Sequence, residues 1–377
     1  MLYLDTAATT PVDPHVAEVV LKHLTIEFGN AGSRTHEWGS RAKRALQDSR
    51  ERIAALVSAT PDEVVFTSGA TESDNLALLG LAEYGQGSGR THILTSATEH
   101  KAVLEPLEEL ARRGFEVEFL PESLSGRHEV NEVMSLVRDN TLAVSVMQVN
   151  NETGVIQPVE ALASRLRATG TYLHVDAAQG FAKPMGESLA EVDLISITGH
   201  KIGAPKGIGA LITRRRGWSR IPLTPLMFGG GQERKLRPGT VPVAMVVGLA
   251  EAADRLSRNS DEWQRKTLTF RRALIASLEG IPHHLNGDQA HCAPHIANLS
   301  FTGIDSEALI VAVKDSAAIA TGSACTSASY TPSHVLTAMG LSQERIQESV
   351  RLSWWSDTDT EGIAAFTDVV RGLSPSA

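Results

Sequence analysis

Three short stretches carry residues whose types and order suit one kind of chemistry. In Thr67-Ser68-Gly69-Ala70-Thr71-Glu72-Ser73 a β-rich run ends, small residues turn, and a helical pattern begins. The first turn of a helix has unpaired N–H groups and the positive end of the helix dipole. Small residues let an anion approach, and Thr71 adds a hydroxyl, so the stretch is a candidate phosphate cradle. Similar turns cap many helices that bind nothing, so the reading depends on its company. In His174-Val175-Asp176-Ala177-Ala178-Gln179, Asp176 ends an apolar strand. Ligands of parallel α/β sheets sit beyond the carboxyl ends of strands. A carboxylate there can accept an N–H from a heterocyclic ring and keep that ring protonated; the competing role is an N-cap for the next helix. In Thr198-Gly199-His200-Lys201, which leads into a Gly-rich turn ending at Gly209, a lysine lies beside a histidine and a hydroxyl. Desolvation and neighbouring positive charge expose the amine lone pair of such a lysine, which suits a Schiff base. The plainer alternative is an exposed turn lysine.

A fourth stretch carries a nucleophile. Cys325 lies in Gly322-Ser323-Ala324-Cys325-Thr326-Ser327-Ala328-Ser329-Tyr330-Thr331-Pro332, a run of small and hydroxylated residues with no large aliphatic side chain. Such a run makes a poor core and a good loop, and it gives a thiol little to pack against. An accessible thiolate is a strong nucleophile. The second cysteine, Cys292, better fits a small buried hydrophobe, although its neighbours His291, Pro294 and His295 also allow an exposed bystander.

The elements that must position these residues alternate along the chain. β-rich runs at residues 64–67, 92–95, 141–149, 172–175 and 193–197 alternate with helical patterns such as 72–84 and 101–113. Repeated β-then-α units predict a mostly parallel sheet covered by helices. After about residue 250 the pattern changes to a long polar helix at 260–278, a strand at 297–301, a helix at 306–314, a strand near 350–354 and a last helix at 360–373. The expected fold is therefore α/β: a large domain with a sheet between helices, and a smaller α/β domain.

The chain has 377 residues, 42 % of them apolar, with a formal net charge of −9. Its length suits more than one core, and its composition is that of an ordinary globular protein. The charge argues against direct nucleic-acid binding, which needs a basic face. The sharpest basic run, Arg214-Arg215-Arg216, reads as a solvated hairpin or loop. No apolar run reaches the roughly 20 residues that span a bilayer, and the first residues do not resemble a secretory signal, so no membrane association and a cytoplasmic location are expected. Neither cysteine sits in a C-x-x-C pair and the 13 histidines show no zinc spacing, so no metal site is expected.

The order of the phosphate turn, strand-end Asp176 and Lys201, 25 residues later, resembles the pyridoxal-phosphate enzymes of the aspartate-aminotransferase type, fold type I. The resemblance narrows through ordered blocks: Leu4-Asp5-Thr6-Ala7-Ala8-Thr9-Thr10-Pro11; residues 66–75; Thr98-Glu99-His100-Lys101-Ala102-Val103; Val149-Asn150-Asn151-Glu152-Thr153-Gly154; His174-Val175-Asp176; Gly199-His200-Lys201; and the Cys325 loop. These are similar to group I cysteine desulfurases from residue 4 to about residue 353.

The resemblance implies a fold type I transferase with a seven-stranded type of sheet. It places the large cofactor-binding domain at 13–255 and a small domain, carrying the Cys325 loop, at 1–12 with 256–377. It implies pyridoxal 5'-phosphate as cofactor, Lys201 as the Schiff-base lysine that also moves protons at the substrate α-carbon, and Asp176 on the pyridine nitrogen. Gln179 bonds the ring hydroxyl. Ala70, Thr71, Thr198 and His200 hold the phosphate, and His100 stacks on the ring as an acid or base. Asn150 touches a cofactor oxygen or the substrate carboxylate, and Arg351 clamps that carboxylate. Thr240, in Arg237-Pro238-Gly239-Thr240, reaches a phosphate in the neighbouring subunit, which makes the active unit a homodimer. The implied reaction converts L-cysteine to L-alanine and leaves the sulfur on Cys325 as a persulfide for an acceptor protein. Iron–sulfur assembly, tRNA thiolation and sulfur modification of DNA all draw on this chemistry. Two competing readings are a selenocysteine lyase of the same fold and a non-catalytic effector-binding relative. The chain departs from the family pattern at Thr198, at Pro238 and at Trp354-Trp355-Ser356-Asp357, where a small residue and a second arginine are usual.

Overall fold

The structure is a computed structural model that describes residues 1–322 and 332–374. The chain starts in a short strand, β1 (Leu2–Tyr3), and the next seven strands form one sheet. These are β2 (Val64–Thr67), β3 (His92–Thr95), β4 (Glu116–Phe119), β5 (Thr141–Met147), β6 (Tyr172–Asp176), β7 (Leu194–Thr198) and β8 (Gly209–Thr213), in the order β2-β8-β7-β6-β5-β3-β4. β8 runs antiparallel to both of its neighbours, while β3 to β7 pair in parallel. The expected mostly parallel α/β sheet is present.

Side-chain alternation explains why the sheet is covered on both faces. Along β2, Val64 and Phe66 enter one core and Val65 the other; along β7, Ile195 and Ile197 enter the first and Leu194 the second. The first core is closed by helices Pro14–Thr25, Glu37–Leu56, Val159–Arg167 and Val243–Arg258, through residues such as Val16, Ile53, Leu162 and Leu249. The second is closed by helices Ala70–Leu79 and Lys101–Arg112, through Leu76, Val103 and Leu107. Both faces are therefore apolar, and the strands read as near-continuous hydrophobic runs.

A third core lies apart from these. Strands β9 (His283–Leu285), β10 (Ile296–Phe301) and β12 (Ser349–Ser353) form an antiparallel sheet ordered β12-β10-β9, and β1 pairs in parallel with β11 (Ala317–Ala318). Leu2 and Leu4 pack there with Phe270, Leu299, Phe301, Leu352 and Phe366. Trp354 is fully buried in this core, donates from Nε1 to the Thr267 carbonyl at 3.0 Å and lies 5.1 Å from the Phe270 ring.

Two expectations need correction. The helix expected at 72–84 starts at Ala70 and stops at Leu79, and a second helix, Ala82–Ser88, follows. The turn between them requires a glycine: a Cβ on Gly80 would strike the Leu76 carbonyl. The Arg214-Arg215-Arg216 run is not a solvated loop. Arg214 is buried and donates to the carbonyls of Val57, Ser58, Leu189 and Val192. Arg215 pairs with Asp62 and Arg216 with Asp193. The charge run thus binds loop carbonyls and carboxylates around the end of β8, where a sequence pattern carries no trace of those distant partners.

Besides the single residues Ser58 and Ala182, three consecutive non-glycine residues have a left-handed backbone. Glu233, Arg234 and Lys235 have φ of 44°, 57° and 67°. The left-handed conformation costs roughly 1–2 kcal/mol for each non-glycine residue, so something nearby must hold this turn.

Candidate active site

The carboxyl ends of β2, β6 and β7 open on one cavity of about 590 Å³. At the end of β2 the chain turns through Ser68 and Gly69 into the helix that starts at Ala70. Ala70 and Thr71 line the cavity, so the first-turn N–H groups of that helix face it. The Ser68 N–H donates to the Glu72 carboxylate at 2.7 Å, which fixes the turn. Gly209 of β8 is needed behind it: a Cβ there would come within 2.7 Å of Gly69 Cα. Thr198 ends β7 and lines the same cavity, followed by His200 and Lys201.

Asp176 closes β6 and lines the cavity, accepting the Ala178 N–H at 2.8 Å. Behind it lies a buried polar chain. His174 meets Ser145 Oγ at 2.8 Å and Ser196 Oγ at 3.1 Å, and Asp74 lies 3.4 Å from His174 Nε2. Burial drives His174 down to about 3, so it is neutral. Burial, reinforced by the Asp176 charge, drives the Asp74 carboxyl well above its ordinary range, and burial does the same to Glu99.

His100 and His200 flank Lys201. His100 Nδ1 accepts the Ala102 N–H at 3.1 Å, which leaves the proton of the neutral ring on Nε2. Burial lowers its proton affinity, partly offset by Asp176 and assisted by Lys201. Burial first, then the Lys201 charge, brings His200 down to about 4. His200 therefore contributes as a neutral imidazole, and Lys201, Lys206 and Arg351 line the cavity with it.

The opposite wall comes from distant parts of the chain. Ala7, Ala8 and Thr9 line it with Asn151 and Arg351. Arg351, in the middle of β12, is 2 % exposed, pairs with Asp5 Oδ1 at 2.7 Å and donates to the Asn151 carbonyl at 3.1 Å. Gln179 donates to the Ala7 carbonyl at 2.8 Å, and its other amide atom is buried without a partner among the described residues.

Of the residues expected at a site, Ala70, Thr71, His100, Asp176, Gln179, Thr198, His200, Lys201 and Arg351 converge on this cavity. Asn150 does not line it. Its Oδ1 accepts from the N–H groups of Glu152 and Thr153 and its Nδ2 donates to the Thr98 carbonyl, so its side chain holds its own turn and Asn151 takes the wall. Thr240 is exposed and is not part of the cavity wall. Cys325 lies outside the described residues. Cys292 Sγ lies 3.5–3.8 Å from the carbonyl oxygens of Thr153, Ala293 and Ile296, and burial pushes its thiol up. Asp74, Lys206 and Asn151 are cavity residues to which the sequence reading gave no role. All three sit inside the quoted motifs, each within five residues of an expected site residue.

This donor set fits pyridoxal phosphate. A helix N-terminus with Thr71 and Thr198 suits the phosphate, Asp176 a ring N–H, and the unpartnered Gln179 amide atom a ring substituent, with Lys201 alongside.

The aminotransferase class-V family model matches residues 2–366. Cysteine desulfurase IscS of Salmonella paratyphi B is 47 % identical over 375 residues, covering 98 % of this chain and 92 % of that protein. Among solved structures, DndA from Streptomyces lividans superposes with a TM-score of 0.83 at 58 % identity, covering 94 % of this chain and 99 % of that one. A NifS-like protein superposes with a TM-score of 0.90 at 32 % identity, covering 99 % and 98 %. Fold and cavity define a pyridoxal-phosphate enzyme of fold type I. The chain belongs to the aminotransferase class-V family.

Proposed function

We propose that this enzyme passes the sulfur of L-cysteine to its own Cys325. It is a pyridoxal-phosphate-dependent cysteine desulfurase. The observation that carries the finer reading is the hydrogen-bonded bridge between Ala320 and Arg351, with Arg351 N to Ala320 O at 2.7 Å and Ala320 N to Arg351 O at 3.3 Å. Arg351 lines the cavity that also holds Lys201 and Asp176. Cys325 follows Ala320 by five residues in the sequence and lies outside the described residues.

Each residue then has a task. Arg351 presents a planar, bidentate donor to the substrate carboxylate. The cofactor, when bound, withdraws electrons from the substrate α-carbon. Asp176 holds a proton on the ring nitrogen. Lys201 takes the α-proton, and His100, whose Nδ1 is occupied by the Ala102 N–H, turns Nε2 to the work of an acid or base. The Cys325 thiolate attacks the substrate sulfur. An S–S bond forms as the C–S bond breaks, the β-carbon takes a proton, alanine leaves, and Cys325 keeps the persulfide until an acceptor thiol removes the outer sulfur.

The protein works as a homodimer in this reading. Thr240 is exposed and stands off the cavity of its own subunit, and Leu226, Met227 and Phe228 a few residues earlier are exposed too, Phe228 by 85 %. With Leu21, Leu24, Ile26, Phe28 and Trp38 they give the subunit more exposed large apolar side chains than isolated surface residues account for. The division into 13–255 and 1–12 with 256–377 is supported by the third core, which joins Leu2 and Leu4 to the C-terminal strands. A cytoplasmic location fits the free thiol the reaction requires, because reducing compartments keep thiols reduced.

The test is Cys325→Ser. It should bind cofactor and L-cysteine, shift the visible spectrum on adding substrate and exchange the α-proton in deuterium oxide, yet release almost no alanine, because a hydroxyl is a far poorer nucleophile than a thiolate. Cys292→Ser should match the unmodified enzyme. Near-normal alanine release by Cys325→Ser would refute transfer to this thiol.

A further inference from the structure

Residues 233–235 form a left-handed turn with no glycine in it, and they lead directly to Thr240. The Glu233 carboxylate is buried and saturated. Arg50 Nη2 donates to Oε1 at 2.6 Å, and Arg50 Nη1 and the Phe66 N–H donate to Oε2 at 2.9 and 2.8 Å. Arg50 Nη1 also reaches the Val64 carbonyl at 2.6 Å, and Arg234 reaches the same carbonyl at 2.8 Å. Val64 and Phe66 belong to β2, whose one strand partner among the described residues is β8. The strained turn thus satisfies backbone groups on the free edge of β2, as an edge strand requires.

Beyond the turn the chain is tied again. Leu236 N–H donates to the Glu233 carbonyl at 3.0 Å, Arg237 Nε to Glu72 Oε1 at 3.0 Å, and Gly239 N–H to Gln232 Oε1 at 3.0 Å. Glu72 is the residue that fixes the Ser68 N–H of the phosphate turn. A buried ion pair is weak evidence for stability as such, because apolar residues of similar volume often serve as well. Next to three consecutive left-handed residues, its use is conformational: it holds a backbone direction that the chain would otherwise leave.

We infer that the Arg50–Glu233 pair is a clasp that keeps residues 233–235 in their left-handed turn and so aims residues 237–240 from the edge of one subunit's phosphate turn towards a second copy of the chain. Arg50 and Glu233 are positioning residues: they act on the cofactor site through Thr240. The inference rests on the homodimer reading above.

The test compares holoenzymes of the unmodified protein, Glu233→Gln, Glu233→Gln with Arg234→Gly and Lys235→Gly, and Lys235→Val alone. Three quantities are read: the rate of cofactor release, the sedimentation-derived dimer dissociation constant, and the KM for L-cysteine. Glu233→Gln should speed cofactor release and weaken the dimer about tenfold each, with KM changed less than twofold, because Arg351 is far along the chain and not part of the clasp. The two glycines, which accept positive φ without strain, should recover most of that loss. Lys235→Val puts a β-branched residue at a φ of 67° and should loosen the cofactor with the ion pair intact, which keeps the test open if Glu233→Gln does not fold. Unchanged cofactor release and dimer affinity in Glu233→Gln and in Lys235→Val would overturn the clasp, as would a loss that the glycines do not recover. An unmodified protein that is a fully active monomer would instead overturn the dimer reading on which it stands.

Discussion

The two walls of the cavity are built differently. On one wall each residue is placed by the end of its own strand: Thr71 after β2, Asp176 at the end of β6, Thr198 and Lys201 at and after β7. On the other wall the residues come from three distant parts of the chain, and cross-chain bonds hold them. Asp5 pairs with Arg351, Ala7 N–H donates to Ser353 Oγ at 2.8 Å, and Gln179 reaches the Ala7 carbonyl. In the proposed mechanism the strand-end wall holds the groups that do chemistry on the cofactor and substrate, and the assembled wall holds the guanidinium that recognises substrate. This division means that damage to the first wall should stop turnover, while damage to the second should weaken binding.

The largest effect is expected at Lys201. Lys201→Ala should lower alanine release by at least about 10³-fold, the usual range for a lost acid–base group, and borohydride treatment of the unmodified enzyme should fix cofactor to this side chain. Mass spectrometry of the reduced, digested protein checks the second point. Substantial turnover by the variant would remove Lys201 from the chemical wall.

A smaller and different effect is expected at Arg351. Arg351→Lys keeps the charge but loses the bidentate fork. Its KM for L-cysteine should rise roughly tenfold to 10²-fold, since a hydrogen bond to a charged group is worth about 1.5–3 kcal/mol, and kcat should fall much less. Steady-state kinetics decide the matter. An equal fall in kcat and kcat/KM would place Arg351 with the chemical groups and erase the contrast between the walls.

The smallest effect concerns the junction behind the walls, and it is one of stability. Lys183 Nζ donates to the Gln179 carbonyl at 2.7 Å, lies 3.3 Å from His295 Nε2 and sits 5.8 Å from the Trp355 ring. Burial first, then the Lys201 charge, lowers this amine from 10.5 to about 7. Between about pH 7 and 10.5 the unfolded chain carries a proton that the folded protein lacks, so the contribution of this group to stability rises with pH across that window and is lowest below it. Lys183→Met should therefore gain most over the unmodified protein at pH 7 and below, with the difference shrinking towards pH 10.5. Denaturant unfolding of both proteins across this range checks the slope, and parallel curves would mean that the buried amine keeps its ordinary proton affinity.

The legibility of the site follows the same division. The phosphate turn, Asp176 and Lys201 could be read because strand, turn and function are contiguous: an apolar run, a break in its pattern and a reactive side chain fall within a few residues. Arg351 came from family likeness, since no local pattern distinguishes it from an arginine in any buried strand. How Asn150 and Asn151 are placed is not legible in the sequence, for a related reason. Asn150 and Asn151 have the same chemistry, and only the fold shows that the first is consumed by its own turn while the second faces the cavity. The Arg214 run was misjudged because its partners, the carbonyls of Val57, Ser58, Leu189 and Val192, lie far away in the sequence.

By itself, the sequence determined the α/β class, the parallel order of the central strands and the chemical wall, because side-chain periodicity and turn chemistry are local. Tertiary structure alone decided which acids hold their protons more tightly, since Asp74 and Glu99 are ordinary carboxylates until burial removes their water. It also decided where Asp5 meets Arg351 and why residues 233–235 accept a left-handed turn, because an ion pair between residues 346 or 183 positions apart has no signature in either neighbourhood. Such pairs form only where folding removes solvent and fixes both partners, and that is a property of the packed molecule.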